Sequence, residues 1–509
     1  MKKSGIIVLI IILSMLLAAA CGFIWYMSHY VRVDSVSYPR DLQVLDMRSE
    51  ELSVSQYEKL QNSLPECRIL WNIPLQGGLY SNDTAQLTLP TLTDTEVGLL
   101  PYFEKLGRLT LEQTPSLPLI TAIRETCPDL QLEYTVTVNG TAYNQDTHLL
   151  QLDNISQGDL EMLPALTKLN TVAISGAENL QTASDLVQYC KDHGITFCIT
   201  LGAETYALEA DQVTAHAITE AQIALLELMP NLKKVHLTEP EASADTLLAL
   251  RSRGLTVTWQ KSIWGISYND TAEEIDLSEG TVGTLEEVEL GMTYLPNAKH
   301  LFLGFCGLDN ESIAQFRERS RESFKVVWVV DLSGKMQVRT DITNFMPSRD
   351  GWGYVRDGEI DNIRYCEDLI CIDIGHMGVK DVSFLEPLVN LEYLILAHTE
   401  VQYIDAIVNC KKLKFLELDW SCIRDISPLV ECTALEDLNL GMTWPDITPV
   451  LQMTWLKNLY IIKGNCKANF AEHLPNTRVV TSGAYTVSSG WRNLPNYYAM
   501  RDILGMHYM

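Results

Sequence analysis

Positive charge is scarce in this sequence. Among its 509 residues, Lys and Arg total 38 against 65 Asp and Glu, so the formal net charge is −27. A chain this acidic is repelled by phosphate backbones, which argues against nucleic-acid binding. The apolar content of 47% and the aromatic content of 8% in turn exclude a disordered chain.

Motifs that carry enzyme chemistry are also missing. The sequence has no Gly-x-Ser-x-Gly nucleophile motif, no Gly-x-Gly-x-x-Gly or Gly-x-x-x-x-Gly-Lys-Ser/Thr phosphate loop and no His-Glu-x-x-His zinc motif. No Cys-x-x-Cys pair occurs either, so a zinc ribbon or a thioredoxin-like site is unsupported. We therefore expect a protein that is not an enzyme, with no catalytic residues, no cofactor and no metal.

The N-terminus carries a long apolar run. Residues 5–27 contain no charge, and as a helix they span about 35 Å, enough to cross a hydrocarbon core of about 30 Å. Lys2 and Lys3 precede the run, so the positive-inside rule predicts that residues 1–4 form a cytoplasmic stub and that the body lies outside. We expect a single-pass membrane anchor over 5–27 and a linker over 28–40.

Two alternatives to this anchor remain open. Residues 18–22, Ala-Ala-Ala-Cys-Gly, are similar to a lipoprotein signal in which Cys21 is lipidated, although the Leu of that motif stands one position early at Leu17. A cleaved secretion signal would have a shorter apolar run and a small-residue cleavage site. All three alternatives put the body of the protein outside the cytoplasm, at the cell surface.

The C-terminal part of the sequence repeats itself about every 22 residues. Apolar residues recur in the pattern L-x-x-L-x-L, and the first residues of successive copies are spaced by 22, 22, 22 and 21. These first residues are Leu369, Leu391, Leu413, Leu435 and Leu456. A short strand with period 2 buries the two later apolar residues of each copy, and stacked copies share one core. We assign residues 366–480 to these regular repeats.

This pattern resembles the leucine-rich-repeat family, in particular the 22-residue class of bacterial internalins. The resemblance implies an α/β solenoid with parallel strands on its concave face. Overall, the chain is similar to membrane-anchored leucine-rich-repeat proteins of Gram-positive bacteria, a likeness that implies an architecture but no activity. Where internalins often carry a buried Asn, this sequence has Thr399, Ser421 and Thr443, and it shows no sorting motif for wall attachment. Both departures weaken a transfer of internalin-type host-receptor binding.

A longer period runs through the middle of the chain. Tyrosines recur at spacings of 63, 63 and 62 residues, at Tyr80, Tyr143, Tyr206 and Tyr268. Each such unit contains three strand candidates, so we interpret residues 41–345 as a degenerate solenoid of the same general kind. A string of small α/β domains is the alternative. Residues 346–365, with several Gly and a Pro, break both periods and form the expected junction, and residues 481–509 form the expected C-terminal cap.

Twelve cysteines are present, and eleven of them follow Cys21. Cys366, Cys410 and Cys432 each stand three residues before the first Leu of a repeat. Equivalent positions in a stacked repeat are buried and suit small apolar side chains, so we expect free, buried thiols there. Occasional disulfides are the alternative, because extracellular cysteines usually pair.

The strand residues between the core leucines form the candidate binding surface. They combine aromatic anchors with carboxylates, a composition typical of protein interfaces with hot spots and charge steering. The predicted ligand-binding residues are Tyr393, Ile395, His398, Phe415, Glu417, Asp419, Trp420, Asn439 and Tyr460. We expect a protein partner of cationic or mixed charge, bound by a receptor or scaffold. Binding of cell-wall glycan is the alternative, motivated by Trp420, Trp444 and Tyr460.

Two histidines occupy equivalent repeat positions. His376 and His398 are 22 residues apart, so they are expected on adjacent turns, where two imidazoles about 5 Å apart could share a metal. Trp420 and Met442 fill the same position in the next two copies. This series favours an exposed contact row over a metal site.

Overall fold

The computed structural model describes residues 2–348 and 353–506, with side chains from residue 6 onward. The chain divides into two compact units, Met1–Val257 and Thr258–Met509. This division falls inside the predicted long-period region, and the segment boundaries expected from the sequence stay predictions. Residue 1 of the predicted stub, residues 349–352 of the predicted junction and residues 507–509 of the predicted cap lie outside the described residues.

The first element is an apolar helix, Lys2–His29. Within its stretch Ile6–His29, the most apolar 18 residues have a mean hydropathy of 3.0 and are not buried against the rest of the protein. By length and composition this helix can cross a membrane. The predicted linker that follows is ordered, because Tyr30–Val33 and Val36–Pro39 pair as an antiparallel hairpin.

Two repeats of the long period, residues 86–144 and 149–207, each build three parallel strands and then a strand that folds back. In one such unit Gln86–Leu89, Arg108–Leu111 and Gln131–Val138 pair in parallel, and Thr141–Asn144 folds back antiparallel on the last of them. The hairpin turn is Asn139-Gly140, with φ of 48° and 73°, the left-handed pair that a type I′ turn requires. The three strand candidates are therefore present, and the returning fourth strand is an addition to them.

A side-chain hydrogen bond fixes the start of four hairpins in the long-period region. The backbone N–H of Trp71 donates to Asn82 Oδ1 at 3.1 Å, and Asn82 Nδ2 donates to the carbonyl of Ile69 at 2.9 Å. The same link recurs between three other pairs, Tyr134 with Gln145, Trp259 with Asp270, and Trp328 with Thr340. A buried donor without a partner costs about 1–3 kcal/mol. The polar residue that accepts from the aromatic residue's N–H is therefore as much a part of the repeat as the aromatic residue.

Helices carry the chain between strands in the first unit, and most begin at a Ser or Thr cap. Ser53 is an example, since its hydroxyl accepts from the N–H of Gln56 while the Gln56 side chain returns to the Ser53 N–H. The helices after the first are Val54–Ser63, Asp94–Val97, Leu117–Thr126, Gln157–Met162, Leu180–His193, Glu220–Leu225 and Ala244–Ser252, with 3₁₀ turns at Leu100–Tyr102, Leu163–Ala165 and Leu226–Leu228.

The compact unit Met1–Val257 contains further strands. They are Val44–Asp46, Arg68–Leu70, Asn72–Leu75, Gly78–Ser81, Leu149–Leu152, Thr171–Ile174, Thr196–Leu201, Glu204–Ala207, Gln212–His216 and Lys234–Thr238. The strand Thr256–Ile263 contains the point at which the chain passes from the first unit to the second.

The second unit begins with the last of the long-period strands. These are Ile266–Asn269, Glu274–Asp276, His300–Phe302, Lys325–Val327, Val329–Leu332 and Met336–Arg339. Its helices are Leu285–Thr293, Asn310–Ser320, Phe470–His473 and Pro495–Ile503, and its 3₁₀ turns are Asp361–Tyr365, Ser383–Leu385, Asp405–Asn409, Ser427–Glu431, Val450–Gln452, Val487–Ser489 and Trp491–Asn493.

The regular repeats form one seven-stranded parallel sheet in sequence order. Its strands are Asn344–Phe345, Cys371–Asp373, Tyr393–Ile395, Phe415–Glu417, Asp437–Asn439, Asn458–Tyr460 and Arg478–Val480. Equivalent residues pair across the sheet, as Leu394 does with Leu416 and Leu416 with Leu438, and these leucines have no exposed surface. The L-x-x-L-x-L pattern thus predicted both the strands and the side that they bury. We call residues 344–480 the array.

The three cysteines that precede the first Leu of a repeat fill buried positions as free thiols. Cys366, Cys410 and Cys432 have no exposed surface, and all twelve cysteines of the chain are free. Cys410 Sγ donates to the carbonyl of Leu388 at 3.6 Å, and Cys432 Sγ to that of Ile407 at 3.5 Å. Burial raises the pKa of Cys410 to about 12 and that of Cys432 to about 11, so both stay protonated and unreactive.

Candidate functional site

The array has a second face, opposite the leucine core. We call it the array face; its strand residues are Cys371, Asp373, Tyr393, Ile395, Phe415, Glu417, Asp437, Asn439, Asn458 and Tyr460. Side chains alternate between the two faces of a strand, so each repeat contributes two residues here. Most of the predicted ligand-binding residues lie on this face.

The chain's own C-terminal segment, residues 483–506, covers the array face. Trp491 has no exposed surface; its ring centroid lies 4.7 Å from that of Phe415 and 5.2 Å from that of Tyr460. The indole Nε1 donates to Glu417 Oε2 at 2.8 Å. The segment therefore lies across the strands, whereas the sequence predicts a cap at the end of the stack.

The composition of the two surfaces explains this placement. Without the segment, the array face would present the apolar side chains of Tyr393, Ile395, Phe415 and Tyr460 to solvent as one patch. The segment places a matching apolar set against them, made of Trp491, Leu494, Tyr497, Met500 and Leu504. Tyr497, Met500 and Leu504 follow a helical spacing along Pro495–Ile503, so one side of this helix is buried.

Carboxylates are the polar part of the array face. Asn496 Nδ2 donates to Asp437 Oδ2 at 3.0 Å, and Asn458 Nδ2 donates to Asp437 Oδ1 at 2.7 Å. Burial raises the pKa of Asp373, Asp419 and Asp437, and it raises the pKa of Glu417 to about 7 against the opposing hydrogen bond from Trp491. Within the described residues none of these four carboxylates has an ion-pair partner.

Three positions beyond the end of five of the seven array strands, a residue adopts a left-handed backbone. These residues form what we call the edge row: His376, His398, Trp420, Met442 and Lys463, with φ between 55° and 62°. In this conformation the backbone N–H can donate to the next repeat and so extend the parallel ladder. The N–H of His398 donates to the carbonyl of Asp419, and the N–H of Trp420 donates to the carbonyl of Gly441, both at 2.9 Å. The geometry of the array therefore imposes the positive φ.

Threonine hydroxyls close the turn that carries the edge row. Thr399 Oγ1 donates to the carbonyl of Leu396, and Thr443 Oγ1 to that of Leu440, both at 2.6 Å. These are two of the positions at which this sequence departs from the buried Asn of internalins. A short local hydrogen bond thus satisfies the carbonyl at the turn.

The first three side chains of the edge row stack on one another. The ring centroids of His376 and His398 lie 4.3 Å apart, and those of His398 and Trp420 lie 5.0 Å apart. Trp420 remains 53% exposed and Trp444, two residues beyond Met442, remains 70% exposed. Desolvation lowers the pKa of His398, and the neighbouring His376 lowers it further. The row therefore offers a solvent-exposed aromatic strip with a neutral imidazole at its centre.

The structure separates the nine predicted ligand-binding residues into two groups. Those buried beneath the C-terminal segment are Tyr393, Ile395, Phe415, Glu417, Asn439 and Tyr460. Asp419 is half-buried between the groups, and His398 and Trp420 lie in the exposed edge row. Binding at any of these residues stays a prediction, and for the first group it requires the segment to move.

The stacked histidines do not converge on a common point. The planes of His376 and His398 are inclined by only 17°, so the two imidazoles face each other instead of directing their nitrogens at one ion. In the part of the chain that the structure describes, no group of three His, Cys, Asp or Glu side chains could hold a metal.

Comparison with known proteins finds similarity among solved structures. No family model matches the chain, and no curated protein matches it. The chain is similar to an internalin (inlF) from Listeria monocytogenes, with 14% identity over 80% of this chain and 90% of that chain and a TM-score of 0.25. An internalin C2 (inlC2) from the same organism is 13% identical over 55% of this chain and 86% of that chain, with a TM-score of 0.24. A leucine-rich-repeat protein from Leptospira interrogans is 13% identical over 77% of this chain and 92% of that chain, with a TM-score of 0.23.

Identities and TM-scores this low transfer no function to this chain. The assignment of the fold depends on the array itself, in which a 22-residue period, the L-x-x-L-x-L pattern and parallel strands in sequence order coincide. Such a stack buries a continuous core between repeats that could not bury their apolar faces alone. By its repeats and its parallel sheet, the array has the leucine-rich-repeat fold.

Proposed function

We propose that this chain is a membrane-anchored, extracytoplasmic and non-enzymatic binding protein that holds a protein partner against the edge row. It would act as a receptor or scaffold at the cell surface. The single observation that carries the proposal is the exposed stack of His376, His398 and Trp420 on left-handed backbone.

The anchor supports the location. The stretch Ile6–His29 is apolar and free of contacts that would make it a core helix of a soluble protein. Lys2 and Lys3 precede it, and the positive-inside rule then favours a cytoplasmic N-terminus and an outward-facing body. Lipidation at Cys21 would give the same side of the membrane.

The backbone of the edge row supports a role in binding. A non-glycine residue in the left-handed region costs about 1–2 kcal/mol, and glycine would remove this cost. The edge row instead has large rings in three neighbouring repeats, at His376, His398 and Trp420. These rings contribute little to the core, since Trp420 is 53% exposed. Side chains retained at an unfavourable backbone conformation point to a function for the side chains themselves.

The chemistry of the row fits a protein partner. Trp is the side chain most often found at binding hot spots, and the neighbouring Asp373 and Asp419 add negative charge for steering a cationic or mixed-charge surface. Tyr460, one of the three rings that motivated glycan binding, is buried and cannot stack on a sugar. Glycan binding is therefore retained only as an outcome of the test.

Photo-crosslinking in the full-length, membrane-embedded protein tests the proposal. A benzoylphenylalanine at Trp444 reports on the edge row, and the same probe at Tyr403, which is 56% exposed elsewhere on the array, is the matched control. We expect a protein adduct from position 444 that disappears with Trp420→Ala, and no such adduct from position 403.

Two results would overturn the proposal. Identical adducts from both positions would indicate non-specific contact, as would an adduct that survives Trp420→Ala. No protein adduct, together with quenching of tryptophan fluorescence by peptidoglycan fragments that needs Trp420 and Trp444, would assign the row to wall binding instead.

A further inference from the structure

We propose that the array face is a second binding site, which takes a cationic peptide segment with an aromatic anchor, and that the C-terminal segment occupies this site as an intramolecular ligand. The partner is a protein that presents an Arg- or Lys-bearing helical turn beside a Trp or Tyr. This inference does not depend on the rings of the edge row, although both proposals use the charge of Asp373 and Asp419. Its anchor pocket, made of Phe415, Glu417 and Tyr460, lies on a surface that is covered in this structure.

The C-terminal segment is attached to the array in the manner of a ligand. Backbone N–H groups of the segment donate within it, for example Trp491 N–H to the carbonyl of Thr486 and Leu494 N–H to that of Trp491. Contacts with the array come from side chains, chiefly Trp491 and Asn496. Undocking would therefore leave the parallel ladder of the array intact.

A Trp anchor fits the centre of the site. Trp491 is enclosed by Phe415 and Tyr460 and donates to Glu417, so it combines a large apolar contact with one specific hydrogen bond. A fully buried Trp with a single oriented donor is the usual form of a binding hot spot. The pocket around it is thus shaped for an aromatic donor.

The segment leaves the charge of the site only partly satisfied. Arg492 and Arg501 lie close enough to Asp373 to lower its pKa, but burial outweighs them and the net shift is upward. Asp373, Glu417, Asp419 and Asp437 have no ion-pair partner in the described part of the chain, and a buried charge without one is costly. A ligand that places a guanidinium or ammonium group among them would bind more tightly than the segment does.

Two further polar atoms in the site have no partner. Among the described residues, Asn439 Nδ2 and the Tyr460 hydroxyl are buried and make no hydrogen bond, and both residues have no exposed surface. Native interiors rarely leave such atoms unpaired. Over the described residues 2–348 and 353–506, these two atoms lack a hydrogen bond, and the four carboxylates lack an ion-pair partner. Together they indicate that the C-terminal segment is an incomplete occupant of this face.

Synthetic peptides that copy residues 485–506 test the inference by fluorescence anisotropy against the full-length protein in detergent. The parent peptide carries the natural sequence, a cationic peptide carries Asn496→Arg, which brings a guanidinium to Glu436 and Asp437, and a control peptide carries Trp491→Ala. The receptor is used as the natural protein and as Trp491→Ala, whose own segment is weakened.

We expect the parent peptide to bind the Trp491→Ala receptor at least tenfold more tightly than the natural protein. The cationic peptide should bind about tenfold more tightly again and lose this gain in high salt, and the control peptide should not bind. Equal affinity of the three peptides, or binding of none of them to either receptor, would overturn the inference.

A second measurement keeps the test decisive if Trp491→Ala destabilises the array. In the otherwise natural full-length chain, Asn496→Arg should slow trypsin cleavage after Arg492 by about tenfold, because the added guanidinium holds the segment down. Unchanged or faster cleavage at Arg492 would contradict a cation-seeking site, whatever the peptides show.

Discussion

The indole N–H of Trp491 reaches the carboxylate of Glu417 across 74 positions of sequence, at a distance of 2.8 Å between Nε1 and Oε2. This contact joins the end of the chain to the middle of the regular repeats. It makes the array face a covered surface, whereas Trp420 and His398 of the edge row remain exposed. The consequences for stability, pH dependence and binding can be separated by experiment.

Replacement of Trp491 by Ala should detach the C-terminal segment. The change removes the ring that fills the space between Phe415 and Tyr460, so we expect a loss of about 3–5 kcal/mol in the free energy of unfolding by chemical denaturation. Trypsin should then cut rapidly after Arg492 and Arg501. Trp444→Ala removes a ring that is 70% exposed and should change stability by no more than about 0.5 kcal/mol. Equal effects at the two positions would contradict the docking described here.

The stability of the second unit should fall as pH rises from about 4.5 to 7. Glu417 has a pKa of about 7 in the folded protein and an ordinary value of 4.5, so the folded state binds more protons than the unfolded state in this window. Deprotonation of the buried carboxyl then removes stability, on the order of 3 kcal/mol in total.

The measurement is the free energy of unfolding at a series of pH values, compared between the natural protein and Glu417→Gln. The variant should show a shallower slope, with a residual slope of the same sign from Asp373 and Asp419, whose pKa values are also raised by burial. Glu400→Gln, at an exposed position, is the control. An identical pH profile in Glu417→Gln would show that this carboxyl is not desolvated in solution.

The regular repeats were predictable because their information is local and repeated. Leu394 and Leu396 recur in phase with their equivalents, so period and burial could both be inferred from spacing. The returning strand Thr141–Asn144 also has a local sequence signal. Asn139-Gly140 between alternating strand residues is a strong hairpin sequence.

The covering of the array face had no such signal. The helical spacing of Tyr497, Met500 and Leu504 indicates an amphipathic helix, but it does not specify which surface that helix covers. Glu417 and Trp491 are too far apart in sequence for their pairing to leave a periodic trace. Six of the nine predicted ligand-binding residues lie on array strands, and the sequence held no information on what lies against them.

The buried Asn82 should be essential to the first hairpin. Its side chain satisfies the Trp71 N–H and the Ile69 carbonyl, so Asn82→Ala leaves two buried backbone groups unpaired. We expect a loss of about 2–4 kcal/mol by chemical denaturation. Asn154→Ala, at an exposed position, should change stability by less than about 0.5 kcal/mol. A small effect of Asn82→Ala would indicate that the hairpin is held mainly by its aromatic packing.

Substitutions at Trp420 should separate the strain of the edge row from its function. Trp420 has a φ of 55°, a conformation that costs Ala about 1 kcal/mol and glycine almost nothing. Both Trp420→Ala and Trp420→Gly remove the exposed ring, and both should abolish the partner adduct formed from position 444. Trp420→Gly should nevertheless be more stable than Trp420→Ala by about 1 kcal/mol in thermal or chemical unfolding.

The matched pair is Trp444→Ala and Trp444→Gly, at a position that is not in the left-handed region. There the extra freedom of glycine in the unfolded chain should make the Gly variant the less stable of the two, so the order of the pair reverses. The same order at both positions would remove the argument from backbone strain. The reversed order, together with loss of the adduct in both Trp420 variants, would establish that the edge row keeps its rings for binding at the expense of stability.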